Sequence, residues 1–143
     1  MCWCPTRQTC GLEAIVERYE AKCALLTRLG EIVDKACILA SNTSSISITR
    51  LGACTPDPGR FVGMHFINPA PVMELVEVIA GLGTPKATHE SVMALAESLG
   101  KRPVAIKDSP GFALNRLLIP MLNEAMFLLV EGVVKAEEID RVM

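Results

Sequence analysis

Between Phe61 and Ile79 two strand-forming runs, Phe61 to Ile67 and Val72 to Ile79, are separated only by Asn68-Pro69-Ala70-Pro71, and helical patterns stand on both sides of them. No other feature constrains the fold as tightly. Short apolar runs alternating with longer amphipathic ones predict an α/β sheet with helices packed on it. The 143 residues suffice for a domain with its own core, and half of them are hydrophobic, which excludes a disordered segment. The formal net charge is −2 with acids and bases interspersed, which argues against a nucleic-acid-binding face. No apolar run reaches the roughly 18 residues of a membrane span, so no contact with a membrane is expected. The opening MCWCPTRQTC lacks the basic start and apolar core of a secretory signal.

From Leu12 to Val33, the residues Leu12, Ile15, Val16, Tyr19, Cys23, Leu26 and Leu29 recur at spacings of three and four. They predict one helix, with Glu13, Glu17, Arg18, Glu20 and Arg28 largely off its apolar face. Ala36 to Ala40 predicts a buried strand that stops at the polar Ser41-Asn42-Thr43-Ser44-Ser45. A short helix over Ile46 to Gly52 and a turn over Cys54 to Gly59 follow. A helix over Pro85 to Gly100 has Thr84 as its N-cap, Pro85 as its first residue and Gly100 as its stop. Pro103 to Ile106 is the last strand. Composition changes at Lys107 to Gly111, dividing the chain into residues 1–107 and 108–143. Beyond that boundary Ser109 and Pro110 start a helix over Phe112 to Gly132. It is apolar nearly all round, contains Pro120 as a kink, and should be buried on several sides. A final helix begins near Ala136, with Lys135 a poor cap. The predicted order is that of the second part of an α/β sheet domain followed by the start of an all-α domain.

Four residues could carry chemistry. His65 ends a strand run, where it is either a general base or a packed, hydrogen-bonded core residue. The other histidine, His89, lies in a polar helical stretch and is expected to be solvated. Glu74 and Glu77 fall on opposite faces of their strand, so only one can orient His65, and alternation does not say which. Ser44 stands beyond a strand's carboxyl end, where open α/β sheets bind ligands, though Ser44 or Ser45 could equally cap the next helix. Asn115, one to two turns into its helix, shares a face with Leu118, Ile119 and Leu122 and needs a polar partner, either another helix or a ligand. The six cysteines show a CxC spacing rather than paired CxxC, with no histidine nearby. They predict no metal site, and reduced thiols in a cytosolic protein.

SNTSSISIT (Ser41 to Thr49), RFVGMHFINPAPVMELVEVI (Arg60 to Ile79) and DSPGFALNRLLIPMLNEAM (Asp108 to Met126) resemble three blocks of the 3-hydroxyacyl-CoA dehydrogenases, in particular the short 3-hydroxybutyryl-CoA type. IVERYEAKCALL (Ile15 to Leu26) is similar to the helix that precedes them, so the resemblance covers about Leu12 to Met143. It implies the C-terminal part of a Rossmann-like sheet domain followed by the start of a helical domain, an acyl-CoA substrate, a cytoplasmic location and a homodimer in the intact family. The implied reaction oxidises a 3-hydroxyl to a ketone and passes hydride to NAD. His65 would take the hydroxyl proton and Glu77 would orient it. Ser44 would hydrogen-bond the substrate oxygen and Asn115 would contact the substrate. Glu17, Lys22, Asn42 and Asn68 would lie near the cofactor. The family's GxGxxG turn, which receives the cofactor pyrophosphate, does not occur in these 143 residues; Gly81-Leu82-Gly83 fails its spacing. The chain therefore reads as a partial copy, expected to bind NAD weakly or not at all and to turn over little. The competing expectation is a non-catalytic binding or assembly module that pairs with a full-length homologue.

Overall fold

The structure, a computed structural model, describes residues 10–143. Cys2 and Cys4, two of the three N-terminal cysteines for which no metal role is expected, lie outside the described residues. The chain forms two compact units that divide between Phe112 and Ala113.

The first unit is a five-stranded sheet with helices. In chain order it contains β1 (Cys10–Glu13), α1 (Tyr19–Ile32), β2 (Ile38–Ser41), α2 (Ile48–Gly52), β3 (Phe61–Phe66), β4 (Leu75–Ala80), α3 (Lys86–Ser98) and β5 (Arg102–Lys107). The strands lie in the order β1-β2-β3-β4-β5. Neighbours are parallel except β3 and β4, which the short Ile67 to Glu74 connection turns antiparallel. Side chains alternate across the sheet. Leu39, Phe61 and Ile79 face one way and pack with Leu26 of α1, Ile48 and Leu51 of α2, and Phe112. Ala40, Val62, Met64, Val76 and Val78 face the other way, against Val92 and Ala96 of α3. A Cβ at Gly63 would come within 2.8 Å of Ile48, so the missing side chain is what lets α2 press onto β3. The stop at Gly100 is a Schellman motif. Gly100 takes φ +74°, its N–H donates to Glu97, and the Lys101 N–H donates to Ala96.

Several expectations are corrected. The helix predicted from Leu12 begins at Tyr19, because Leu12 and Glu13 belong to a parallel strand whose pairing with Ala40 and Ser41 overrides the helical spacing. Leu12, Ile15 and Val16 are accordingly exposed, while the face from Tyr19 to Leu29 packs on the core. The short helix starts at Ile48, and its cap is Ser47, not Ser44 or Ser45. The long α3 starts at Lys86 after Pro85, because Thr84 is used elsewhere: its hydroxyl donates to Phe61 O. His89 is not solvated; its Nε2 pairs with Val78 O at 3.0 Å and ties α3 to β4. Cys23 and Cys54 are joined as a disulfide with Cα atoms 5.3 Å apart, against the expectation of reduced thiols throughout. Cys10 and Cys37 are free. Burial, reinforced by neighbouring Cys37, pushes the Cys10 thiol up to about 11, which makes it a poor nucleophile.

The second unit holds α4 (Leu114–Val130), with Pro120 inside it, and α5 (Ala136–Val142). Residues Ser109 to Phe112 form a turn ahead of α4 rather than its first turn, with Phe112 at φ +50°. The expected burial of α4 is not found: none of its residues is buried, and Leu117 and Val130 are 74 % and 84 % exposed. Glu138 compensates for the weak cap at Lys135 by accepting the Lys135 N–H.

Candidate active site

Two groups of buried polar side chains lie on the α1 and α2 side of the sheet. The first follows directly from strand register. In the antiparallel pair β3/β4, His65 stands opposite Glu77, a separation that cross-strand side chains span readily. His65 Nδ1 and Glu77 Oε2 are 2.8 Å apart, and the two side chains are 7 % and 2 % exposed. A carboxylate only accepts, so in this pair Nδ1 is the donor. The Phe112 ring packs against the imidazole at a centroid distance of 5.8 Å. Glu74, the alternative partner, points away and pairs with Arg102 at 2.8 Å.

The second group lies at the carboxyl ends of β1 and β2. Lys22, wholly buried on α1, donates to both oxygens of Glu13 at 3.0 Å and to Ile15 O at 3.2 Å. Glu13 also accepts from the Ser41 hydroxyl and the Ile15 N–H. Glu17 Oε2 lies 3.4 Å from the same ammonium, and the Glu17 side chain is 40 % exposed. The other Glu17 oxygen accepts from the Thr43 hydroxyl, from the Ser44 N–H at 3.0 Å, and from the Ser45 N–H at 3.2 Å. Burial pushes the Glu17 carboxyl upward. The Thr43 and backbone hydrogen bonds and the Lys22 charge outweigh it and hold Glu17 below its usual range.

The loop between these groups is fixed at several points. The Asn42 N–H donates to Glu13 O, and the Asn42 side-chain oxygen accepts the N–H of Phe66, the residue after His65. At its far end Ser47 Oγ donates to Asp108 at 2.6 Å, and the Ile48 and Thr49 N–H groups donate to the same carboxylate. Burial raises the Asp108 carboxyl, but these bonds prevail and hold it low. The structure thus brings Ser44, exposed on its loop, into one network with Glu17, Lys22 and Asn42, and that network reaches β3, the strand bearing His65. Asn68 is exposed in the β3–β4 connection. Asn115, expected one to two turns into its helix, is the second residue of α4, in the other unit. Reading the sequence missed Glu13, Ser41, Thr43 and Phe112. Nothing in the local pattern marks Glu13, whose i,i+4 relation to Glu17 imitates a solvated helix face. Among the described residues, no group of three or more His, Cys, Asp or Glu could hold a metal ion. No helix there is long and apolar enough to cross a membrane.

Comparison with known proteins gives the following similarities. The family profile described as "3-hydroxyacyl-CoA dehydrogenase, NAD binding domain" matches residues 8–109, and "3-hydroxyacyl-CoA dehydrogenase, C-terminal domain" matches residues 111–143. The chain is 53 % identical over 132 residues to a probable 3-hydroxybutyryl-CoA dehydrogenase of Bacillus subtilis, covering 92 % of the chain and 46 % of that protein. It is 47 % identical to the human mitochondrial hydroxyacyl-coenzyme A dehydrogenase, covering 92 % of the chain and 42 % of that enzyme. Among solved structures, (S)-3-hydroxybutyryl-CoA dehydrogenase from Ralstonia eutropha superposes with a TM-score of 0.86 at 52 % identity, covering 90 % of this chain and 46 % of that one. The chain spans about half the length of the curated relatives it matches.

Proposed function

The chain belongs to the 3-hydroxyacyl-CoA dehydrogenase family, and from that premise we propose that it carries the proton-transfer side of an NAD-dependent site interconverting a 3-hydroxyacyl-CoA and its 3-ketoacyl-CoA. One observation carries the reading: a buried imidazole whose Nδ1 is committed to Glu77 at 2.8 Å, leaving Nε2 as the basic atom. In the oxidative direction Nε2 takes the proton of the 3-hydroxyl, and Glu77 stabilises the imidazolium that results. Ser44 hydrogen-bonds the same substrate oxygen, and Asn115 contacts the substrate. NAD, when bound, supplies the hydride acceptor. The donor set fits only its nicotinamide end. The half-exposed Glu17 carboxylate and the exposed Asn68 amide suit ribose hydroxyls and a carboxamide, and Asn42 holds the loop beside them through Phe66. The pyrophosphate wants a glycine-rich turn opening a helix, and the 143 residues contain none. A cytoplasmic location and a homodimer of the intact protein belong to the same reading.

The test compares 3-hydroxybutyryl-CoA oxidation by this chain with oxidation by a version supplied with the N-terminal half of the nucleotide domain. The chain alone should give little or no turnover and no saturable micromolar quenching or enhancement of NADH fluorescence. The completed version should turn over, and His65→Ala in it should lower kcat by about 10²–10⁴-fold. A completed version whose rate ignores that substitution overturns the proposal. The uncovered apolar residues of α4 favour a second reading, an assembly module; co-purification of a longer homologous chain with an inactive completed version would support it.

A further inference from the structure

We propose that Cys23 and Cys54 form a reversible redox pair that exchanges with small-molecule disulfides of the glutathione class, Cys54 being the entry thiol and Cys23 the resolving one. The inference goes beyond the dehydrogenase reading and does not depend on it.

The two cysteines come from α1 and from the turn after α2, 31 residues apart in sequence. Their Cα atoms are 5.3 Å apart, inside the range that a disulfide spans without backbone movement. Contacts other than the bond hold them there. The Thr27 hydroxyl of α1 donates to Cys54 O at 2.7 Å, and the Arg50 guanidinium of α2 lies 4.3 Å from the centre of the Tyr19 ring on α1. The fold therefore presents the two sulfurs to each other in the reduced state as well.

Their surroundings are unequal. Cys23 packs against the apolar core formed around Leu26, Leu51 and Phe61. Cys54 stands in the turn, its Sγ 3.5 Å from the Tyr19 hydroxyl and 3.5 Å from Arg50 O, the latter an exposed contact. The phenol donates to a Cys54 thiolate, the species that attacks, and the carbonyl accepts from the protonated thiol. Neither free cysteine among the described residues competes. Cys37 is buried, and burial pushes the Cys10 thiol up to about 11.

The step balances as thiol–disulfide exchange. The Cys54 thiolate attacks one sulfur of oxidised glutathione, forming a mixed disulfide and releasing one glutathione thiolate. The Cys23 thiolate then attacks the Cys54 sulfur, forming the Cys23–Cys54 bond and releasing the second. Two protein thiols are oxidised, one glutathione disulfide is reduced, and the two thiol protons end on the released glutathiones. The closed loop contains β2, Ser44 and α2. Closing a loop of that length favours the folded chain on the order of 10²–10³-fold.

The experiment equilibrates the 143-residue chain with oxidised and reduced glutathione at a series of ratios, alkylates the remaining thiols and maps the peptides by mass spectrometry. The Cys23–Cys54 bond should open and close across millimolar glutathione mixtures. Its exchange constant should be larger on the order of 10²–10³-fold in the native chain than in urea, the same factor read through the thermodynamic cycle. In Cys23→Ser, glutathione should accumulate on Cys54. In Cys54→Ser, Cys23 should take up about tenfold less in the same time, because exchange follows access and thiolate character. Adding Tyr19→Phe to Cys23→Ser should slow uptake at Cys54, which a bond with a merely structural role does not require. The proposal is overturned if the native bond resists every ratio, if it never forms, if its exchange constant is the same with and without urea, or if the two single variants take up glutathione equally fast. Should a variant not fold, the titration of the native chain decides alone.

Discussion

Two buried ionic groups sit on one face of one sheet, and they are built in opposite ways. His65 and Glu77 come from adjacent strands and stand in direct register, one imidazole against one carboxylate. Glu13, Lys22 and Glu17 come from a strand, a helix and the segment between them, and set two carboxylates on one cation. The first is held by a ladder of backbone hydrogen bonds that would persist without it. The second is held by its own charges. The cross-strand pair is thus placed by backbone register, whereas the loop geometry rests on side-chain charges.

The sharpest way to break that contrast is Lys22→Met, which leaves two carboxylates facing each other without their cation. It should cost about 3–5 kcal/mol, the usual penalty for an uncompensated buried charge, read as a lower urea midpoint at unchanged slope. Adding Glu13→Gln should recover part of the loss. A single substitution that costs under about 1 kcal/mol, as an exposed pair would, erases the difference between the two groups. Next in size is Glu77→Gln, which should cost only about 1 kcal/mol because an amide can still meet the imidazole. Its distinctive readout is the His65 tautomer: nitrogen NMR should find the ring proton on Nδ1 in the native chain and divided between both nitrogens in the variant. The smallest effect is pH dependence. The folded chain holds Glu17 and Asp108 below their ordinary values of 4.5 and 3.8. Their contribution is present above those values and is lost as pH falls through the lower folded ones. The urea midpoint should therefore decline in acid, and Asp108→Asn should flatten part of the decline.

The same contrast explains what could be read in advance. Alternation along two short strands leaves Glu74 and Glu77 as partners for His65, and the family resemblance, not the pattern, picks Glu77; both strands declare themselves by their apolar runs. The α/β character and the helical stretch after the sheet were legible for the same reason. Glu13 was not. Leu12, Ile15, Val16 and Tyr19 satisfy helical spacing, and a four-residue parallel strand offers too little alternation to compete. Only its pairing with Ile38 to Ser41, more than 25 residues on, makes it a strand. Helix starts were misplaced where the capping group is distant in sequence, as at Ser47, or where a hydroxyl is spent on another strand, as at Thr84. The covering of α4 was misread because an apolar circumference says that a surface wants burial, not that this chain supplies it.

Asp108 has a consequence for how the protein is made. A five-residue helix has no independent stability in water. The carboxylate that holds the start of α2 follows it by 59 to 61 residues. While the ribosome is still adding β4 and α3, the segment from Ser41 to Gly52 has already emerged without its anchor. It can settle only after β5 is complete, which makes the last strand of the sheet the timekeeper for a loop encoded far upstream.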